Sequence, residues 1–303
     1  MNVLVLDGGG SKGVYTIGVL KELELRLGKP LCEFFDLIYG TSTGSIIAAL
    51  IGVGFSLNEI QVLYLELIPT IMRNRSKAAK SKALEREAKK IFGDKKFDAF
   101  KTDVGIVALN FDTQMPLIFK TNIKQAHGMK QSFIPGFGCS IETAIRCSSA
   151  AYPFFNKVKI ETENHGEIEV VDGGFIANNS TLYAMIDAYK SIGINEQDIH
   201  ILNVGVGHYI ENTSGIISRL LKRIGIFNFF ERVLNASTNS NTIVSKLLFP
   251  NLDMLRISES FPEPKHGTNM FEYDLKKLNK MIQLGRASYA KYEKEILKLL
   301  NIP

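Results

Sequence analysis

Apolar positions fall along this chain in two spacings, and the change from one to the other marks out its elements. Short unbroken runs predict strands at Val3 to Leu6, Phe35 to Tyr39, Val104 to Asn110, Met115 to Thr121, Gly166 to Val171, Ile199 to Val206 and Leu252 to Ile257. Segments of helical pattern are Val14 to Leu27, Leu57 to Ile71, Ser76 to Phe92, Ile141 to Arg146, Thr181 to Ile192, Arg219 to Thr242 and Tyr273 to Leu300. Ser56 followed by Glu59 predicts a cap for the second of these. Phe111 to Gln114 joins two strands as a hairpin.

The pattern turns most sharply after Tyr39. The apolar strand runs straight into Gly40-Thr41-Ser42-Thr43-Gly44 and then into a buried small-residue helix, Ser45-Ile46-Ile47-Ala48-Ala49-Leu50. A strand that turns directly into a helix holds its corner residue in a strained conformation and needs small residues two positions to either side. Gly40 and Gly44 meet that need, which makes the stretch a G-x-S-x-G nucleophile elbow. Such an elbow lifts the Ser42 hydroxyl above the sheet, points the Thr43 amide into the same space, and favours negative charge at the helix N-terminus. On its own, the stretch also fits a plain helix cap whose glycines serve packing.

Composition narrows the setting. With 303 residues and 45% hydrophobic content, the chain can bury a substantial core, and no linker or internal repeat divides it. Cys32, Cys139 and Cys147 are odd in number and lack metal or redox spacing, so they read as reduced thiols of a cytosolic protein. The N-terminal residues run into Asp7 and glycines without the basic and apolar regions of a signal peptide. The longest apolar window, Leu37 to Phe55, is broken by four glycines and by Thr41, Ser42, Thr43 and Ser45, so it reads as core and not as a membrane span. Charge is concentrated in one place: of a net +5, Arg73 to Lys101 carries +7, eleven Lys/Arg against four Asp/Glu. That segment reads as a solvated helical face or as a mobile cap that meets an anionic surface. No interleaved aromatics mark it for nucleic acid.

Two more stretches carry candidate chemistry. Asp7-Gly8-Gly9-Gly10-Ser11-Lys12-Gly13 lies between a strand and a helix, where glycines leave backbone N–H groups unobstructed for an anion. The anion is either a nucleotide phosphate, as in actin-like sugar kinases and ATPases, or the oxyanion of an acyl transfer, with the charge of Lys12 nearby. Asp172-Gly173-Gly174 places a carboxylate at a strand end over a turn. None of the five histidines stands in a recognisable triad context, although His208, just past Gly207, lies where a triad histidine could fall.

Together these stretches resemble the patatin-like phospholipase family. The match comprises Asp7 to Gly13, Gly40 to Gly44, the block Ser148-Ser149-Ala150-Ala151-Tyr152-Pro153-Phe154-Phe155, and Asp172-Gly173-Gly174 with Ala177-Asn178-Asn179 behind it. The resemblance implies a three-layer α/β/α fold with a central, mostly parallel sheet and a helical basic cap insert. It implies one domain over residues 1–303, with core motifs in 3–207, the cap at about 56–101 and a C-terminal helical extension at 208–303. It further implies a lipid acyl hydrolase with Ser42 as nucleophile and Asp172 as base, and an oxyanion hole from Gly8, Gly9, Gly10, Lys12 and Thr43, without metal or cofactor. A free aspartate is a weak base for a hydroxyl, so Ile168, Val170, Val171 and Phe175 are expected to desolvate it. Lys12 stands where many members carry arginine, Ser180 where many carry proline, and Tyr152 interrupts a block that commonly reads Ala-Pro.

The implied partner is membrane phospholipid, met by a cytoplasmic protein at the inner membrane surface. Some bacterial members stay silent until a cyclic nucleotide binds and then degrade the cell's own membrane, as effectors of antiviral defence. The short chain and basic cap are compatible with that, and a homo-oligomer is compatible too. The rivals are an actin-like sugar kinase or ATPase, which leaves the elbow at Ser42 unexplained, and a non-catalytic membrane-surface binder.

Overall fold

A computed structural model of the chain describes residues 1–127, 130–163, 166–209 and 222–303, with the backbone alone for 222–228. β1 (Asn2–Leu6) leads through the glycine turn into α1 (Gly13–Leu27), and β2 (Leu37–Thr41) leads into α2 (Thr43–Gly52). The helix pair α3 (Leu57–Met72) and α4 (Lys77–Phe92) follows, then the hairpin β3 (Asp103–Asn110) and β4 (Met115–Lys120). Next come α5 (Ile141–Ser148), β5 (Val158–Thr162), β6 (Gly166–Asp172), α6 (Gly174–Ala177), α7 (Thr181–Ile186) and β7 (His200–Val204). β8 (His208–Tyr209), α8 (Lys222–Leu248), β9 (Asp253–Ile257), β10 (Ser260–Phe261) and α9 (Leu275–Leu299) complete the chain.

The main sheet runs β5-β6-β3-β2-β1-β7-β9, with β4 also on β3, and β8 pairs β10 in a small ribbon. Ladders among β3, β2, β1, β7 and β9 are parallel; those joining β3 to β4, β3 to β6 and β5 to β6 are antiparallel. Every residue from Val3 to Leu6 is fully buried, because both faces of the sheet are covered. Leu4, Leu6, Ile38, Ile106 and Val204 face a core shared with α1, α2 and α9, while Val3, Val5, Leu37, Tyr39 and Val107 face a second core against α7. The architecture is the expected three-layer α/β/α arrangement.

Strand register decides where the chemistry falls. β4 occupies one edge of β3 along residues 105–110, so β2 and β6 must share the other edge in succession. Thr41 pairs with Val107, and Asp172 pairs with the next residue, Ala108. The end of β2 and the end of β6 therefore meet, and the residue after Thr41 is Ser42.

The first helix of the α3–α4 pair forms where its cap predicts. The Ser56 hydroxyl accepts from the Glu59 N–H while the Glu59 carboxylate accepts from the Ser56 N–H, a reciprocal cap that stabilises α3 by about 1 kcal/mol. Ser76 caps α4 through the Ala79 N–H.

Other expectations are corrected. The helix read over Thr181 to Ile192 ends at Ile186 and continues as a π-helical turn, Asp187–Ile192. Its first residue explains why: the fully buried Asp187 carboxylate accepts from Lys120 at 2.6 Å, from Gln125 at 3.1 Å and from the Tyr39 hydroxyl, and the wider turn carries it inward. The strand read from Phe35 starts at Leu37 instead, with Phe34 and Phe35 in the preceding turn. β5 was not anticipated. The helix read over Arg219 to Thr242 runs on to Leu248, and its expected start lies outside the described residues. Residues 208–303 are not only a helical extension, because β9 extends the sheet beside β7 and α9 lies along α1.

Candidate active site

Ser42 sits at the strand–helix corner with φ 53° and ψ −123°, a conformation that costs a non-glycine residue about 1–3 kcal/mol. Its neighbours make the corner possible. A Cβ on Gly40 would lie 2.4 Å from the Gly44 carbonyl oxygen, and one on Gly44 would lie 2.2 Å from that of Leu6. Fixed bonds then hold the corner in place: the Ser42 N–H donates to Ser148 Oγ at 2.9 Å, and the Ser148 hydroxyl donates to the Val107 carbonyl at 2.6 Å. The Thr41 hydroxyl donates to Ala177, and Tyr64 of α3 donates to the Thr43 carbonyl at 2.9 Å.

The Ser42 hydroxyl donates to Asp172 Oδ2 at 2.6 Å, and the other carboxylate oxygen accepts from the Gly174 N–H at 2.7 Å. Asp172 is 3% exposed. Burial pushes its carboxyl up to about 7, against the opposing pull of the bonds from Ser42 and Gly174. Val170, Val171 and Ile168 are buried on the same strand, as expected. Part of the cover comes from further away, however: Leu234 of α8 would stand 2.7 Å from a Cβ on Gly174, and Phe230 of α8 packs edge-on against Phe175.

The glycine turn reaches this pair but is used differently from expectation at two positions. The Gly8 N–H donates to the Asn178 carbonyl at 3.1 Å, so it is occupied. What Gly8 contributes is closeness, since a Cβ there would fall 2.4 Å from Asn178 Oδ1 and 3.2 Å from Ser42 Cβ. Lys12 is buried, but its ammonium pairs with Glu231 of α8 in a separate chamber lined also by Asp7, His208 and Arg256. Its charge is thereby neutralised rather than turned toward Ser42. The N–H groups of Gly9, Gly10 and Thr43 have no acceptor among the described residues. Asp7, the root of the turn, is held by Arg256 at 2.7 Å, by Asn203 at 3.0 Å and by Asn179 at 3.1 Å.

His208 lies in that chamber behind the turn, where burial and then Lys12 and Arg256 hold its imidazole below the ordinary histidine range. Among the described residues Asp172 is bonded to Ser42 directly, and the charges acting on His208 are Lys12, Arg256, Asp7 and Glu231 rather than Asp172, so the geometry favours a Ser-Asp pair over a triad through His208. Cys32, Cys139 and Cys147 are free and buried.

A pocket opens against Ser42 and Thr43. Ile68 and Met72 of α3, Leu84 of α4, Phe155, Met270 and Phe271 give it apolar walls, and it encloses roughly 520 Å³ including its open mouth. The Ser11 N–H fastens the Met270 carbonyl to the glycine turn at 2.9 Å. The helical pattern of α3 marked its apolar face in the sequence, but nothing local signalled that Met270 and Phe271 close the same space. Ser148 was visible as part of a motif, and its hold on the Ser42 amide was not.

The apolar lining of this open pocket suits a hydrocarbon chain. Its place against the elbow serine, on a three-layer α/β/α scaffold, defines a lipid ester hydrolase. The patatin-like phospholipase family model matches residues 4–185, and the chain belongs to that family. It is 44% identical over 298 residues to the cUMP-AMP-activated phospholipase of Escherichia coli, covering 98% of this chain and 93% of that one. It is 27% identical over 248 residues to the cGAMP-activated phospholipase of Escherichia coli (strain TW11681), covering 72% and 66%. Among solved structures, human GIVD cytosolic phospholipase A2 superposes with a TM-score of 0.54 at 10% identity, over 99% of this chain and 62% of that one, which shows the common fold. The kinase reading of the glycine turn is set aside on these grounds.

Ser148 gives the first prediction. Ser148→Ala leaves the Ser42 N–H buried without its acceptor and frees the strained corner. The expected result is a ten- to hundredfold loss of kcat, about 1–3 kcal/mol, with KM little changed. Steady-state kinetics on a soluble ester read this, and an unchanged kcat would show that the corner needs no such tether.

Proposed function

We propose that the protein hydrolyses ester-linked fatty acids of membrane phospholipids or lysophospholipids, with Ser42 as nucleophile and Asp172 as its base. The observation that carries this reading is the 2.6 Å hydrogen bond from the Ser42 hydroxyl to a buried carboxylate whose proton affinity is raised to about 7. As Ser42 Oγ attacks the ester carbonyl carbon, its proton passes to Asp172. The oxyanion that forms is stabilised by the N–H groups of Gly9, Gly10 and Thr43, which are open for it. Collapse expels the alcohol, which takes the proton from Asp172 and leaves an acyl-serine. Water then repeats the sequence: Asp172 takes its proton, the hydroxide portion joins the acyl carbon, and Ser42 leaves reprotonated with free fatty acid released. The apolar pocket beside Ser42 holds the acyl chain.

The two bacterial relatives are named for activation by cUMP-AMP and by cGAMP. By extension, this enzyme is held inactive until a cyclic nucleotide of that class binds, and it then degrades the bilayer from the cytoplasmic side. No helix among the described residues is long and apolar enough to cross a membrane.

Lipid profiling of phospholipid vesicles incubated with the full chain tests this reading. Free fatty acid and lysophospholipid are expected, with release increased at least tenfold by one member of a panel of cyclic dinucleotides. Release that is absent with every member contradicts the lipase reading. Release that is equal with and without them contradicts the activation.

A further inference from the structure

The mouth of the acyl pocket is framed by a patch of cations and exposed rings that the hydrolytic chemistry does not use. Met72, the last residue of α3, lines the pocket, and Arg73, Arg75 and Lys77 follow it directly, all exposed. Lys80 Nζ stands 4.9 Å from the ring of Phe271, another pocket residue. Lys77 Nζ stands 5.6 Å from the ring of Tyr152, in the loop that follows Ser149 and Ala151 of the pocket wall. Beside Tyr152, at 6.4 Å between ring centres, lies Phe111 at the tip of the β3–β4 hairpin, with Lys157 Nζ, itself paired with Glu169, 3.9 Å above it. Phe111 and Tyr152 are 41% and 38% exposed.

Charge is arranged unevenly along α4. Toward its far end Arg86 is paired with Glu87 and Lys89 with Asp94. Among the described residues, Arg73, Arg75, Lys77, Lys80 and Lys82 have no acidic partner within ion-pair distance. Unneutralised cations interleaved with exposed rings around an apolar opening match an interface whose outer layer is anionic and whose next layer is hydrocarbon.

We infer that this face, formed by the α3–α4 turn, the Phe111 hairpin tip and the Tyr152 loop, docks on a bilayer containing anionic phospholipid and sets the pocket mouth against the lipid. The inference rests on the lipase reading of the pocket, but it concerns adsorption and can be measured apart from turnover. Rings enter the interfacial layer, cations meet the phosphates, and an acyl chain reaches Ser42 without crossing water.

The test compares co-sedimentation of the full chain with phosphatidylcholine vesicles, with and without phosphatidylglycerol. Binding should require phosphatidylglycerol and weaken with added salt. Arg75→Gln together with Lys77→Gln should weaken it roughly 25-fold, about fivefold per charge removed. Phe111→Ser should weaken it severalfold at any salt. None of these three residues lines the pocket, so turnover of a soluble short-chain ester should stay within about twofold of the parent while vesicle hydrolysis falls. Unchanged vesicle binding in these variants would overturn the inference, as would an equal loss on the soluble ester, or retention on polynucleotide with indifference to vesicles. A parent chain that binds vesicles in this way yet cleaves no ester would support the docking face and contradict the lipase reading.

Discussion

Ser42→Ala is expected to lower ester turnover by about 10⁴-fold or more, equivalent to about 5.5 kcal/mol of transition-state stabilisation, while the protein stays folded. The Ser148 hydroxyl, bonded to this corner, cannot replace the lost one, because it is engaged with the Ser42 amide and the Val107 carbonyl. The fold survives because the corner is held by its backbone and by Ser148, Thr41 and Tyr64, none of which bonds to the Ser42 hydroxyl. Fatty-acid release and thermal unfolding measured on the same preparation separate the two effects. Turnover that persists in this variant would remove Ser42 from the chemistry.

Asp172→Asn should be nearly as damaging to turnover and should make the protein more stable. In the parent, the carboxyl is raised to about 7 by burial, against about 3.8 when the chain is unfolded. A group with a higher affinity for protons in the folded state favours folding fully below pH 3.8 and loses that contribution as pH rises through about 7. At pH 8 the buried charge is therefore a burden on the order of 4 kcal/mol, which the amide does not carry. The variant should melt above the parent at pH 8, and the difference should close as pH falls toward 4. For turnover the sign is reversed. The base must be unprotonated, so the parent's rate should climb with pH and level off above about 7. A flat profile between pH 5 and 9, or a variant less stable than the parent at pH 8, would place the proton acceptor elsewhere.

How much of this was legible in sequence follows from how far each feature reaches along the chain. The elbow was readable because Gly40 and Gly44 answer a local clash, each within a few ångströms of backbone that any side chain would strike. The cap at Ser56 was readable for the same reason, as it is completed within three residues. The closeness of Ser42 and Asp172 came from resemblance, and its physical cause is non-local: two successive residues of β3, Val107 and Ala108, pair with strands that arrive from either side in sequence. Lys12 illustrates the opposite case. Its charge looked available beside the glycines, yet the partner that neutralises it, Glu231, lies on a helix 219 residues later. Gly8 was an oxyanion donor only by resemblance to the family, and its N–H meets the Asn178 carbonyl, a contact only the folded chain reveals.

The π-helical turn after Ile186 was hidden because a pattern three and four residues apart does not distinguish it from a continued helix. Its cause, the inward carboxylate of Asp187 among Tyr39, Lys120 and Gln125, joins three separate elements. The pocket wall at Met270 and Phe271 was likewise hidden, because it depends on a bond from Ser11 that spans most of the chain.

Labelling with a fluorophosphonate in the presence of the activating cyclic dinucleotide, followed by peptide mass spectrometry, asks most directly whether the hydroxyl at the β2–α2 corner is activated by the carboxylate beside it. The expected result is a single adduct on the peptide that carries Ser42, forming faster as pH rises toward 8 and lost in Asp172→Asn. An adduct on another serine, or one on Ser42 that forms equally fast without the Asp172 carboxylate, would contradict the account.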